Sequence, residues 1–168
     1  MIMFYHGYQS SSQTNKFTQI KRYDKKCQTV NYDFLSYAEI NALYSEQIES
    51  SKPEMLVGHS LGAYWALKMS AKYEIPAVII NPAIFPEKSL PHLAYPNISE
   101  NELKNRVPKY VYIETSDEII EVSKTIKMLK DVSYLKCHEG GHHRVENMDN
   151  VNELIDYAFN TYFVDCEL

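Results

Sequence analysis

Short apolar runs alternate with helix-length segments along almost the whole chain, and this alternation is the strongest constraint on its fold. The runs have the length and composition of β-strands, and Ala77–Ile80 is apolar throughout, with no polar alternation. Strands of that kind are covered on both faces, and parallel strands need a crossover connection that is usually a helix. The sequence therefore predicts an α/β fold, with a mostly parallel sheet flanked by helices on both faces.

The pattern assigns most of the chain to regular elements. The predicted strands are Ile2–Tyr5, Gln28–Asn31, Glu54–Val57, Ala77–Ile80, Tyr110–Glu114 and Val132–Cys137. The predicted helices are Lys16–Arg22, Tyr37–Ile48, Leu61–Tyr73, Glu118–Lys130 and Val151–Phe163, with one or two further turns over Glu100–Arg106. No linker or repeat divides the 168 residues, so we expect a single domain spanning 1–168.

Charge and composition narrow the classes of function. Twenty-two acidic residues against 17 basic ones give a net charge of −5, which is unfavourable for binding nucleic acid. No apolar run is long enough for a signal peptide or a membrane-spanning helix, so we expect no membrane partner. The three cysteines, Cys27, Cys137 and Cys166, lack any C-x-x-C spacing and are typical of free thiols in a reducing compartment. These features predict a cytoplasmic protein with neither a nucleic-acid nor a membrane partner.

The chain has only five glycines, and each follows a predicted strand. They are Gly7, Gly58, Gly62, Gly140 and Gly141. Open α/β sheets bind ligands at the carboxyl ends of their strands, and glycine is used where backbones approach closely or φ is positive. Glycine is also common in ordinary strand-to-helix turns, which is the alternative interpretation. We expect the three glycine-bearing loops to form a site at one edge of the sheet.

The sharpest motif is Gly58-His59-Ser60-Leu61-Gly62, a G-x-S-x-G pattern between a predicted strand and a predicted helix. In that context the serine lies on a strained turn that exposes its hydroxyl group, and side chains two positions away would collide with neighbouring backbone. The pattern therefore predicts that Ser60 is a nucleophile. The alternative is a serine that only caps the following helix.

A nucleophilic serine needs a base and an acid that orients the base. In this fold class they follow the serine in the order acid, then histidine, each after a later strand. Asp117 follows the strand Tyr110–Glu114 and is the predicted acid. Thr115 and Glu118 have the spacing of a helix capping box, which is the structural alternative, and Glu118 is the second candidate acid. Asp131 precedes a strand and would lie at the wrong edge.

The predicted base lies in the loop Gly140-Gly141-His142-His143 after the last strand. Adjacent side chains in a loop point to different sides, so only one of the two histidines is expected to reach Ser60, and residue chemistry alone leaves the choice between them open. A metal site that also uses His6 and His59 is the alternative. No H-E-x-x-H or similar chelating spacing supports it, so we predict no metal ligand.

The loop Tyr5-His6-Gly7-Tyr8 is the third part of the predicted site. Acyl transfer needs two backbone N–H groups directed at the oxyanion, and we assign them to Tyr8 and Leu61. The segment Pro82–Arg106 is predicted to form a wall and partial cover of the acyl pocket. The segment is too short to form a lid domain. Further predicted substrate contacts are His6, Gly7, His59, Ile84, Phe85 and His142.

These ordered landmarks resemble those of the α/β-hydrolases, and among them the small single-domain bacterial esterases of the YqiA type. The resemblance rests on Tyr5-His6-Gly7-Tyr8-Gln9-Ser10-Ser11, Gly58-His59-Ser60-Leu61-Gly62, Asp117-Glu118 and Glu139-Gly140-Gly141-His142-His143. It implies a Ser/Asp/His hydrolase without cofactor or metal, and the family's Gly-Gly-x-His motif assigns the base to His143. The sequence departs from the family's usual Gly-Asp-Glu loop, because Ser116 precedes Asp117.

The predicted function is hydrolysis of carboxylic esters or thioesters of small or medium acyl groups through an acyl-enzyme on Ser60. The alternatives are a non-catalytic α/β-hydrolase scaffold with a binding role, since fold does not fix function, and a metallohydrolase. The sequence does not separate esters from thioesters or amides, and it does not indicate the oligomeric state.

Overall fold

A six-stranded, all-parallel sheet forms the centre of the structure, a computed structural model that describes residues 1–22, 24–145 and 147–164. The strand order is β2-β1-β3-β4-β5-β6. The strands are β1 (Ile2–Tyr5), β2 (Lys25–Cys27), β3 (Met55–His59), β4 (Ala77–Ile80), β5 (Lys109–Glu114) and β6 (Tyr134–His138). The predicted α/β class is confirmed, and the sheet is fully rather than mostly parallel among these strands.

Helices cover both faces of the sheet. They are α1 (Asn15–Gln19), α2 (Tyr37–Ser51), α3 (Leu61–Tyr73), α4 (Pro86–Ser89), α5 (Glu100–Leu103), α6 (Val122–Leu129) and α7 (Asp149–Val164), with a 3₁₀ turn at Pro91–Leu93. One apolar core joins the sheet to α2, α3 and α6. The other joins it to α1 and α7. Alternate residues of the four inner strands contribute to the two cores, as at Met3 and Phe4 of β1.

The central elements lie where the sequence predicts them, and the peripheral ones differ. Helix α3 and strand β4 have the predicted bounds. The second strand lies at Lys25–Cys27 and not at Gln28–Asn31, so that prediction is wrong. This edge strand is polar, and only its pairing with Ile2–Phe4 of β1 places it in the sheet. Helix α6 starts four residues later than predicted, at Val122.

The register of the sheet brings the loops of interest to one edge. Strand β3 pairs with β1 through Gly58 and Tyr5, and with β4 through His59 and Ile80. Strand β5 pairs with β6 through Glu114 and His138. Because all these strands are parallel, the loops that follow them emerge at the same edge, and the candidate site lies there.

The structure bears on the predicted free thiols and on the expected lack of a membrane-spanning helix. Cys27 and Cys137 are free thiols, as predicted, and Cys166 lies outside the described residues. Within ranges 1–22, 24–145 and 147–164, no helix combines the length and the apolar composition needed to cross a bilayer.

Candidate active site

Ser60 lies on a strained turn between β3 and α3. Its φ of 58° is in the left-handed region that non-glycine residues rarely adopt. A Cβ atom on Gly58 would collide with the backbone of Gly62, and one on Gly62 would collide with the carbonyl oxygens of Tyr5, the last residue of β1, and His6. The two glycines therefore let α3 approach the sheet closely enough to hold the serine in this conformation.

Three side chains form a continuous hydrogen-bonded chain at this edge. The Ser60 hydroxyl donates to Nε2 of His143 over 2.8 Å, and Nδ1–H of His143 donates to a carboxylate oxygen of Asp117 over 2.7 Å. The Asp117 side chain is fully buried, and that of His143 is 11% exposed. The side chain of His142, by contrast, is 70% exposed and points toward Glu118 at the rim. Of the two candidate histidines, His143 is the one that meets Ser60.

The turn after β5 fixes the Asp117 carboxylate. Its second oxygen accepts the backbone N–H groups of Ile119 and Ile120, at 2.8 and 3.0 Å. The alternative of a capping box does not occur, because Thr115 instead accepts the N–H of Gly140 and α6 begins only at Val122. Asp117 is thus oriented by the turn, with one oxygen left to bind the imidazole.

The carbonyl group of His143 accepts hydrogen bonds from two side chains. Nε2–H of His59 donates to it over 2.7 Å, and the Asn81 amide donates over 3.2 Å. The Asn81 amide also reaches the carbonyl of His142, and its own oxygen accepts the N–H of Glu114. Asn81 therefore ties the loop after β6 to the ends of β4 and β5.

Two carboxylates hold the N–H groups of the same loop. Glu118 accepts from the N–H of His143 over 3.0 Å, and Glu114 accepts from the N–H of His142 over 2.6 Å. A Cβ atom on Gly141 would collide with the Glu114 side chain, which explains a glycine there. Sequence reasoning missed Asn81 and Glu114. The available indication for Asn81 was an asparagine directly after a buried strand, a residue type that tolerates the positive φ of 41° found there.

His6 and His59 are both predicted to contact substrate. In the structure, the rings of both form hydrogen bonds with backbone groups of the protein. Nε2 of His6 accepts the N–H of Val30, and its Nδ1–H donates to the carbonyl of Gly7. His6 is 1% exposed, so the prediction that it binds substrate is wrong, and it instead fixes the loop after β1. His59 borders the cleft beside Ser60, and burial together with the charges of Lys16, His143 and Arg144 holds its pKa well below the ordinary histidine value.

Leu61 and Tyr8, the two residues predicted to supply the oxyanion hole, both lie next to Ser60 or its cleft. Leu61 is the first residue of α3, so its N–H has no partner within the helix. The loop after β1 runs close to the serine, because a Cβ atom on Gly7 would lie 3.3 Å from the Cβ of Ser60. Tyr8 follows Gly7 and lines the same cleft.

The cleft around Ser60 has a volume of about 1000 Å³. Its lining includes the predicted site residues Gly7, Tyr8, His59, Ser60 and His143. Ser89 and Leu90, from the segment Pro82–Arg106, also line the cleft.

Ile84 and Phe85, predicted to bind substrate, lie elsewhere. Their side chains belong to the core that joins the sheet to α2, α3 and α6. They pack inward because the N–H of Ala83 is bound to the carbonyl of Ser60, which holds this stretch against the body. Of the segment that follows β4, Ser89 and Leu90 therefore form the wall.

Comparison with known sequences places the chain in a family. Residues 1–94, which include Ser60, match the family described as "Uncharacterised protein family (UPF0227)". A UPF0227 protein of Shewanella sp. (strain ANA-3) is 25% identical over 162 residues, covering 86% of this chain and 90% of that protein. A UPF0227 protein of Vibrio cholerae serotype O1 is 28% identical over 149 residues, covering 78% and 83% of the two chains.

Solved structures resemble the whole fold at low sequence identity. Naproxen esterase (carboxylesterase NP) from Bacillus subtilis superposes with a TM-score of 0.75 at 14% identity, covering 95% of this chain and 83% of that one. An alpha/beta hydrolase from the metagenome of lagoon sediments of Mar Chica, Morocco, gives 0.72 at 16% identity, covering 95% and 90%. The family match covers more than half of the chain, and the superpositions establish its architecture. The chain belongs to the UPF0227 family and has the α/β-hydrolase fold.

Proposed function

We propose that this chain is a serine hydrolase that cleaves carboxylic esters or thioesters of small or medium acyl groups. The observation that carries the proposal is the hydrogen-bonded chain from Asp117 through His143 to Ser60. The strained backbone of Ser60 supports it, because such strain is typical of functional sites.

In the first step, Nε2 of His143 takes the proton of Ser60 while Oγ attacks the carbonyl carbon of the substrate. The carbonyl oxygen becomes an oxyanion that accepts the N–H groups of Leu61 and Tyr8. Asp117 stabilises the imidazolium, and both its oxygens are already engaged. The intermediate then expels the alkoxide or thiolate, which takes the proton from Nε2 and leaves an acyl-enzyme on Oγ.

In the second step, His143 takes a proton from water, and the hydroxide formed attacks the acyl carbon. Collapse of this intermediate breaks the bond to Oγ, which recovers its proton from Nε2 and releases the acid. The fixed orientation of the His143 backbone supports this role, because the same nitrogen must serve as base and acid in turn.

The proposed size of the substrate rests on the connection between β4 and β5. This connection contains α4, a 3₁₀ turn and α5, and it contributes Ser89 and Leu90 to the cleft wall. An open cleft with one short wall suits short or medium acyl groups, for which Leu90 offers apolar surface.

A fluorophosphonate probe tests the proposal directly, because the probe phosphonylates only an activated serine. We expect stoichiometric labelling of Ser60, hydrolysis of short-chain aryl esters and thioesters, and loss of both in Ser60→Ala, with kcat lower by about 10⁴-fold or more. The rate should be unchanged by EDTA. A folded protein that neither labels nor turns over any ester would instead support a non-catalytic scaffold, and inhibition by chelator reversed by zinc would support a metallohydrolase.

A further inference from the structure

Two cations line the cleft beside the catalytic candidates, although the chain as a whole carries a net charge of −5. Lys16, on α1, is partly buried, and Arg144, directly after His143, is exposed. Both border the same cleft as Ser60 and His143. The predicted mechanism uses neither side chain.

Lys16 and Arg144 have no direct carboxylate partner in the part of the chain that the structure describes. The acid that lines the cleft with them, Glu118, accepts the N–H of His143. Glu114, the other carboxylate near this loop, accepts the N–H of His142. Both carboxylates thus bind the loop backbone, and neither forms an ion pair with Lys16 or Arg144.

The two cations lie close enough to influence each other and the site. Burial lowers the pKa of the Lys16 ammonium, the like charge of Arg144 lowers it further, and Glu114 partly opposes these effects. Burial and then Lys16, with a smaller contribution from Arg144, also lower the pKa of His59. The rings of His59 and His143 are 5.1 Å apart. Since Arg144 directly follows His143 and Lys16 lines the same cleft, we assign the positive charge to the imidazole side of Ser60.

The imidazole side is where the leaving portion of a substrate departs. His143 must protonate the leaving oxygen or sulfur through Nε2, so that atom lies beside the imidazole and the rest of the leaving portion extends along the His143 side of the cleft. A carboxylate or phosphate there would meet Lys16 and Arg144, and an anion placed between two unpaired cations is bound favourably.

We propose that Lys16 and Arg144 form an anion-binding subsite for the leaving portion of the substrate, so that the natural ester or thioester carries a carboxylate or phosphate there. This inference rests on the proposed hydrolase activity. It narrows the substrate from any small acyl ester to an ester or thioester of an anionic alcohol or thiol.

The test compares kcat/KM for matched aryl acetates that differ in the charge of the leaving portion. The probes are para-acetoxybenzoate, para-acetoxyphenyl phosphate and the neutral para-acetoxybenzamide. Lys16→Gln and Arg144→Gln should each lower the ratio of anionic to neutral ester by about 5- to 10-fold, as expected for a charged hydrogen bond. Lys16→Arg and Arg144→Lys should retain most of the ratio, and added salt should reduce it in the wild type.

Matched controls are Lys130→Gln and Arg106→Gln, since both residues are exposed and lie next to the opposite edge of the sheet. We expect these controls to leave both rates unchanged. The larger effect on the carboxylate or on the phosphate probe identifies which group the subsite takes.

Two outcomes would overturn the inference while leaving the hydrolase proposal intact. One is a wild-type enzyme that hydrolyses the neutral and anionic acetates with a ratio that Lys16→Gln and Arg144→Gln do not change. The other is a charge effect confined to the acyl side, measured with para-nitrophenyl hemisuccinate against para-nitrophenyl butyrate. Absence of turnover on every ester, together with no fluorophosphonate labelling of Ser60, would contradict the hydrolase proposal itself.

Discussion

The turn that carries Ser60 is shaped by residues within two positions of the serine, whereas the loop that carries His143 is held by side chains from three other strands. Gly58 and Gly62 make the turn possible by their lack of a side chain. The His143 loop instead depends on His59 at the end of β3, Asn81 after β4 and Glu114 at the end of β5. The residue types that the nucleophile turn requires are adjacent in the chain, whereas those that position the base come from distant parts of it.

This difference has a chemical reason. A serine nucleophile needs only to project from a turn whose strain the adjoining strand and helix maintain. A base must sit within hydrogen-bond distance of two groups at once, and the imidazole of His143 spans 2.8 Å to Ser60 and 2.7 Å to Asp117. Small errors in such geometry are costly, so the backbone on both sides of His143 is fixed by hydrogen bonds.

The largest expected effect tests which histidine completes the site. His143→Ala should lower kcat by about 10⁴-fold or more, because it removes the group bonded to both Ser60 and Asp117. His142→Ala, whose side chain is mostly exposed, should retain most of the activity. The measurement is steady-state hydrolysis of a short aryl ester. The reverse pattern would assign the base to His142.

The second effect tests whether the Ser60 turn depends on close packing. Gly62→Ala should lower the free energy of unfolding by about 3 kcal/mol, because its Cβ would collide with the carbonyl oxygens of Tyr5 and His6 at the end of β1. Gly140→Ala is the matched control in the base loop. Its φ of 88° is strained for alanine, but no described atom lies within 4 Å of the added Cβ, so we expect a loss of about 1 kcal/mol. Denaturant unfolding measures both losses. Equal losses of unfolding free energy in Gly62→Ala and Gly140→Ala would show that the two regions do not differ in how closely they are packed.

The same distinction decides what could be predicted from the sequence. The Ser60 turn was predictable because its requirements lie within five consecutive residues, Gly58 to Gly62. The sheet was predictable where its strands are apolar, as at Ala77–Ile80. Asn81 was missed because its partners, the carbonyls of His142 and His143, are distant in the chain.

Two errors have the same physical origin. The edge strand Lys25–Cys27 has no apolar pattern, and only its pairing with β1 makes it a strand. Ile84 and Phe85 are apolar residues in a segment near the site, and composition alone cannot show whether such side chains line a cleft or join the core. They join the core. Neither error affects the residues that contact Ser60.

The third effect tests the tertiary support of the base loop. Asn81→Gly keeps the backbone conformation, since the φ of 41° suits glycine, but removes the amide that binds the two histidine carbonyls. We expect kcat to fall by about 10-fold or more with little change in KM, because the imidazole is displaced while the cleft is intact. The rate of fluorophosphonate labelling should fall in parallel.

Asn105→Gly is the matched control for Asn81→Gly. It removes side-chain hydrogen bonds to Val107, Glu102 and the ammonium of the buried Lys109, near the opposite edge of the sheet, so it should cost at least as much stability as Asn81→Gly. Similar kinetic losses in both variants would show that Asn81 acts through global stability and not through the position of His143.

The smallest effect concerns His59, which joins the two regions because it adjoins Ser60 and donates to the carbonyl of His143. Burial, reinforced by nearby positive charges, keeps its folded-state pKa well below that of the unfolded chain. Between these two pKa values the unfolded state binds more protons, so the folded protein loses stability as pH falls below about 6.5. Burial lowers the pKa of His6 as well, so part of this acid sensitivity should survive when His59 is replaced.

His59→Gln retains an N–H donor for the carbonyl of His143 and cannot be protonated. We expect this variant to lose less stability than the wild type between pH 7.5 and pH 5, because glutamine takes up no proton on unfolding. Denaturant titrations at both pH values measure this difference, and an unchanged pH dependence in His59→Gln would mean that His59 is not held neutral between the two regions.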